Sequence, residues 1–351
     1  ITLSDGKVFH HLTDCAERSW SRAPWHPNTE QGETWRNYLL PENLAADKDN
    51  ERRGPPFECT DVPDNAYYDG QTADRAIADL RELAQQEQPF FLAAGFLKPH
   101  LPFNAPRKYW DYYRREDISL AQNPFRPEGA PDAAMHDWGE LRAYFDVPAE
   151  GPLPDDMART LIHGYYAATS YTDAQVGRVL DELETLGLQD NTIVVLWGDH
   201  GWQLGEHGLW CKHCNFNTSL NAPLIVRVPD QGEGRSTFEL VEFLDIYPTL
   251  CELAGLPLPD HLDGRSFRPL LDDPRNSIRD AAFCRYFAGE SIRTGRYLFT
   301  EWTDDDGETT AHMLYDHTAD PNENRNLSEL PENADLVAGL SAALRNVTSA
   351  R

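Results

Sequence analysis

Residues 199 and 200 are an aspartate and a histidine set between an apolar run and Gly201. Within a strand, neighbouring side chains face opposite ways, but where the chain leaves a sheet beside a glycine both can turn to one point. Asp199 and His200 so placed offer a carboxylate and an imidazole to a divalent cation. Basic residues stand elsewhere in pairs. Lys98 and His100 flank Pro99, whose ring restricts the backbone, so both side chains can lie on one side of an extended loop. Lys212 follows His200 by twelve residues, and Lys7 and His10 lie near the start. Together they are the parts that hydrolysis of an anionic ester requires: cations for the leaving oxyanion and a proton donor beside it. Singly, each also reads as a surface charge or a core histidine. Trp202, His207 and Trp210 follow the Asp–His pair and read either as a sugar-facing wall or as packing.

These groups need a scaffold, and the hydrophobic pattern describes one. Apolar residues at helical spacing from Thr72, a candidate N-cap, predict a helix to about Gln86. Residues 90–95, 192–197 and 224–228 are short continuous apolar runs bounded by Pro and Gly, as in strands buried on both faces. A long helical pattern runs from Asp155 towards Leu186, and Gly187 closes it. The alternation predicts an α/β layer architecture with a largely parallel sheet, its chemistry at the carboxyl ends of the strands. Residues 15–65 read as long ordered loops, 104–154 as a second Pro-rich region, 241–255 as a helix and 257–274 as a linker. Beyond it, runs at 282–286, 290–293, 297–302 and 312–316 predict a small antiparallel sheet, and 334–346 a helix. The expected division is a catalytic domain over 1–274 and a small α+β subdomain over 275–351.

Composition narrows the partners. A net charge of −27 argues against nucleic acid, whose phosphates need Lys and Arg to displace counterions. Of the five lysines, Lys7, Lys98 and Lys212 belong to the clusters above. No run approaches the roughly 18 apolar residues of a membrane-spanning helix. Cys211-Lys212-His213-Cys214 has the spacing of half a zinc site but lacks a second pair, so its cysteines read as ordinary thiols. Asn217, Asn326 and Asn346 head Asn-x-Ser/Thr sequons.

Residues 192–212, TIVVLWGDHGWQLGEHGLWCK, resemble the sulfatases of the alkaline phosphatase superfamily, in particular the iduronate-2-sulfatase type and bacterial polysaccharide sulfatases. Gly6-Lys7-Val8-Phe9-His10, Lys98-Pro99-His100-Leu101-Pro102-Phe103, the helix around Tyr165–Tyr171 and Asp245-Ile246-Tyr247-Pro248-Thr249 agree with it. Leu314-Tyr315-Asp316-His317 resembles the signature of that family's small C-terminal domain. The resemblance implies an alkaline phosphatase-like fold and removal of sulfate from a sulfated sugar of a polysaccharide or glycosaminoglycan. It implies calcium, rather than magnesium, on Asp199 and His200, although imidazole is not an oxygen ligand of the kind calcium prefers. It implies Lys7 and Lys212 on the sulfate oxygens, His100 beside the bridging oxygen, His10 beside the nucleophile and Lys98, Trp202, His207 and Trp210 towards the sugar. Whether His100 or Lys212 delivers the proton stays open.

Family members carry a Cys/Ser-x-Pro-x-Arg motif whose first residue becomes formylglycine, and two consecutive N-terminal aspartates. This sequence contains neither. The expectation is therefore that the N-terminal part of the enzyme, with nucleophile and further metal ligands, is absent from this chain, and that the segment alone folds poorly. A periplasmic or extracellular setting is expected, lysosomal for an animal source. Two alternatives remain: a phosphodiesterase or phosphonate ester hydrolase of the same superfamily, and an inactive glycan-binding relative.

Overall fold

Strand β1 (Thr2–Gly6) has its partner far away in sequence: it runs parallel to residues 91–95, with Gly6 opposite Gly95. The computed structural model describes residues 1–10, 15–27, 35–49, 52–231 and 234–348. They divide into two units, one of residues 1–121, 138–195 and 226–230, the other of 122–137, 196–225 and 231–351.

In the first unit, β1 is followed by helix α1 (Pro41–Asp49) and strand β2 (Phe57–Thr60), so the described part of 15–65 is more than loop. Helix α2 (Tyr68–Leu83) begins one turn before Thr72, which lies inside it and donates its hydroxyl to Tyr68 O at 3.2 Å. That bond to the carbonyl four residues back suits a helix interior, not the predicted N-cap. Ala73, Ala76, Leu80 and Leu83 form its buried stripe. Each leucine so buried contributes about 1.5–3 kcal/mol. Strand β3 (Phe91–Gly95) pairs with β1, and β4 (Phe103–Pro106) runs parallel to β2.

Helix α3 (Asp155–Thr185) matches its predicted span, with acidic residues in its first turn and Gly187 just beyond it at φ +69°. It packs on α2 and β4 around Tyr67, Ala105, Tyr109, Trp110, Ala167 and Tyr171.

Strand β5 (Val194–Trp197) begins two residues later than the apolar run suggests. In the second unit, β6 (Gln203–Leu204) and β7 (Trp210–Cys211) form a short antiparallel ladder. Strand β8 (Leu224–Arg227) pairs with β5. The three apolar strands are less buried than expected, with Phe91 and Trp197 each 46% and Ile225 62% exposed. Among the described residues each pairs with one strand in a two-stranded ladder, so the broad sheet that would sit between two covering layers is not formed. Parallel pairing is present, but in separate ladders.

Helix α4 (Ile246–Leu253) follows a 3-10 turn, and residues 268–272 form a short helix within the expected linker. The strands β9 (Ala281–Tyr286), β10 (Gly289–Thr294), β11 (Tyr297–Thr303) and β12 (Thr309–Asp316) form an antiparallel sheet in the order β12-β11-β10-β9. Helix α5 (Ala334–Thr348) closes over it, with Leu340 and Leu344 against Ile292, Phe299 and Leu314. No helix among the described residues is long and apolar enough to cross a membrane.

Candidate active site

Lys7 leaves the carboxyl end of β1 beside the carboxyl end of β3, its backbone N–H donating to Gly95 O at 2.9 Å. The approach tolerates no side chain: a Cβ on Gly6 would lie 2.3 Å from Gly95 O, and one on Gly95 2.0 Å from Lys7 O. Two adjacent parallel strands therefore release Lys7 and the Lys98–His100 loop at the same end, where α/β sheets collect ligands. His10, three residues on, is exposed.

The loop after β3 is anchored by Asp69, a fully buried carboxylate in the first turn of α2. Its oxygens accept the backbone N–H groups of Leu97 and Lys98, both at 2.8 Å. Burial pushes Asp69 above the ordinary carboxylate range, against the pull of these donors and of Lys98. Lys98 is 6% exposed, and its ammonium donates to Pro102 O at 2.6 Å and His100 O at 3.2 Å. Burial lowers it from 10.5 to about 8. This lysine braces the loop from within.

His100 is only partly covered. Its Nδ1 lies 2.7 Å from Leu101 O and its Nε2 2.9 Å from Glu140 Oε1, while Trp35 meets the ring edge-on at 5.1 Å. A carbonyl accepts only, so Nδ1 carries a proton, and the Glu140 carboxylate favours one on Nε2 as well. Both ring nitrogens thus face acceptors, one of them a carboxylate. Sequence reasoning missed Asp69 and Glu140, because nothing local to either marks it as a partner of this loop.

The second unit presents the other candidates. After β5, Gly198 N–H donates to Pro223 O at 3.0 Å and Gly201 N–H to Ser219 O at 2.8 Å, fixing the turn between them. A Cβ on Gly201 would lie 1.9 Å from Thr218 O, so only glycine fits. Asp199 and His200 do converge, with Oδ1 3.6 Å from Nε2, and His200 Nδ1 faces Gly201 O at 2.8 Å. The Asp199 side chain is 68% exposed. The β6–β7 ladder returns the chain so that Lys212 Nζ stands 5.0 Å over the Trp202 ring, which also lies 5.9 Å from the His200 ring.

His207 and Trp210 are buried instead of lining an open wall. His207 stacks on Phe216 at 4.1 Å, and its Nε2 lies 2.9 Å from Asn322 O. The thiols of Cys211 and Cys214 are buried, all six cysteines are unbridged, and Cys214 Sγ lies 3.1 Å from Ser219 Oγ. Asn326 is buried too: its Nδ2 donates to Gly129 O at 2.9 Å and its Oδ1 accepts Leu314 N–H at 2.8 Å.

Calcium asks for six or more oxygen ligands. Among the described residues no group of three or more His, Cys, Asp or Glu side chains could hold a metal ion. Asp199 and His200 alone do not fit such an ion, so no chemical step is assigned to it.

Residues 18–256 match the sulfatase family model, and residues 205–350 match that of the N-sulphoglucosamine sulphohydrolase C-terminal region. The chain belongs to the sulfatase family. Human iduronate 2-sulfatase is 35% identical over 325 residues, covering 81% of this chain and 58% of the human protein. This sulfatase-family chain thus spans just over half the length of that relative. A Bacteroides fragilis structure described as a sulfatase aligns with a TM-score of 0.65 at 25% identity, covering 81% of this chain and 59% of that one. The phosphonate monoester hydrolase of Agrobacterium radiobacter aligns with a TM-score of 0.65 at 26% identity, covering 82% and 62%. The fold is the alkaline phosphatase-like sulfatase fold, with its antiparallel C-terminal sheet.

Proposed function

We propose that the protein is a sulfuric ester hydrolase acting on a sulfated sugar of a polysaccharide or glycosaminoglycan, in an extracytoplasmic setting. The observation that carries this reading is His100, with both ring nitrogens facing acceptors, on a loop released beside Lys7. When a sulfate ester breaks at its S–O bond, negative charge grows on the bridging oxygen. A protonated imidazole answers that charge by transferring its proton, and Glu140 favours the charged ring beforehand. Lys7 and, separately, Lys212 are the candidates to supply compact positive charge to non-bridging sulfate oxygens. Lys212 keeps its position over Trp202 by cation–π attraction, so the indole serves as its support. His10 is the candidate for contact with the nucleophile, for which this sequence carries no formylglycine motif. Asp199 and His200, which by themselves do not fit such an ion, are candidates to contribute two ligands to a divalent cation, calcium before magnesium, only alongside further oxygen donors.

The test is turnover of matched aryl sulfate, phosphodiester and phosphonate monoester substrates, followed by a sulfated uronic-acid-containing disaccharide. Sulfate should be released fastest, and His100→Ala should lower kcat by about 10²–10⁴-fold. Preference for the phosphonate would overturn the reading in favour of the activity for which the Agrobacterium relative is named. Glycan binding without turnover would instead identify an inactive relative.

A further inference from the structure

The hairpin between β9 and β10 has a two-residue turn, Phe287-Ala288, since Tyr286 pairs with Gly289. Phe287 occupies its first position at φ +49°. Gly, Asn or Asp ordinarily sits there, because a bulky side chain in the left-handed region is strained. The Phe287 side chain gains no burial in return, being 78% exposed. An aromatic residue that is both strained and exposed suggests a role outside the fold.

Its surroundings indicate which role. The Tyr286 ring meets Phe287 edge-on at 4.7 Å and lies 5.8 Å from His213, which neighbours His136 at 6.3 Å. His213 directly follows Lys212. Hydrogen bonds tie the loop to the hairpin: buried Asn215, on the same loop as His213, donates Nδ2 to Gly289 O at 3.1 Å and to Ser291 Oγ at 3.0 Å. Arg285 Nε donates to Phe287 O at 2.9 Å, holding the turn from its other side. His136 is lowered to about 4 by burial and by its neighbour His213, so it is uncharged at neutral pH.

The geometry points to His213, Tyr286 and Phe287 as an aromatic subsite that stacks on a pyranose ring of the sulfated glycan. Ring faces of pyranoses carry C–H groups that pack on aromatic faces, and a phenylalanine offers nothing else. The subsite rests on the sulfatase reading for its place in the reaction, but its binding can be measured without turnover.

The experiment compares the protein with Phe287→Ala and Phe287→Trp on a small aryl sulfate and on a sulfated uronic-acid-containing tetrasaccharide. Phe287→Ala should lower kcat/KM about tenfold on the tetrasaccharide and leave the aryl sulfate within about twofold, and Phe287→Trp should restore the loss. Because Phe287 is exposed, its truncation removes no core packing. Calorimetric titration with the chemically desulfated tetrasaccharide should show the Kd weakened about tenfold by Phe287→Ala. An unchanged Kd and unchanged tetrasaccharide kcat/KM overturn the subsite, as does an equal loss on both substrates. Failure of the unaltered protein to turn over either substrate counts against the hydrolase reading, and the calorimetry then decides the subsite alone.

Discussion

The Glu140 carboxylate lies 2.9 Å from Nε2 of His100, although forty residues separate them in sequence. With Nδ1 committed to Leu101 O, the pair sets how readily the ring gives up its second proton. Glu140→Gln keeps an acceptor at Nε2 but removes the charge that favours imidazolium. The alkaline limb of the kcat profile should therefore move to lower pH, with activity on the acid side much less affected. An unmoved limb would show that Glu140 only positions the ring.

Lys98 links loop structure to pH. Its amine is held at about 8 in the fold against an ordinary 10.5, so the fold disfavours the charged form. A depressed group contributes stability that is present above its unfolded value and lost as pH falls through the folded one. Relative to Lys98→Met, which has no titrating amine, the parent should lose about 3 kcal/mol as pH falls from 10.5 to 8. Parallel urea titrations of the two proteins measure the difference.

Asp5, at the end of β1, faces Asp79 of α2, with Arg75 and Arg22 as their cations. Burial, then the Asp79 charge, raises Asp5 from 3.8 to about 7. Because the folded value is raised, the associated stability is complete below pH 3.8 and is lost as pH rises through about 7. Asp5→Asn stays neutral throughout, so its Tm should gain on the parent's between pH 4 and 7. Parallel Tm curves would contradict this.

Gly201→Ala tests the turn that presents the Asp–His pair. The new methyl would fall 1.9 Å from a backbone oxygen that no rotamer change can move. Destabilisation of about 1–3 kcal/mol in urea unfolding is expected. A neutral outcome would mean that the loop carrying Thr218 shifts freely.

Much of the architecture was legible before any coordinates. The α3 span followed from an unbroken helical period closed by Gly187, and the four C-terminal strands followed from short runs separated by turns. Both signals are local, arising from side-chain period and backbone freedom. The start of α2 was not legible, because Thr72 resembles an N-cap while Asp69 is buried by the loop it anchors. Strand burial was also misread, since apolar content reports a preference for cover and not the presence of a covering layer. The triplet Phe287-Ala288-Gly289 showed a turn to the sequence but gave no sign that the phenylalanine takes the left-handed position.

The sequence by itself determined which residues are capable of the chemistry, because residue type sets charge, proton affinity and ligand character. It also determined the family, since the Asp–His segment and the Lys-Pro-His loop are contiguous. Tertiary structure alone decided that Lys98 braces a loop, that His207 and Trp210 pack inward, that His100 has Glu140, and that Lys212 is supported by Trp202. Each of these depends on burial or on a partner brought from elsewhere in the chain. Neighbours of that kind are set by strand pairing and helix packing, which no local window of sequence contains.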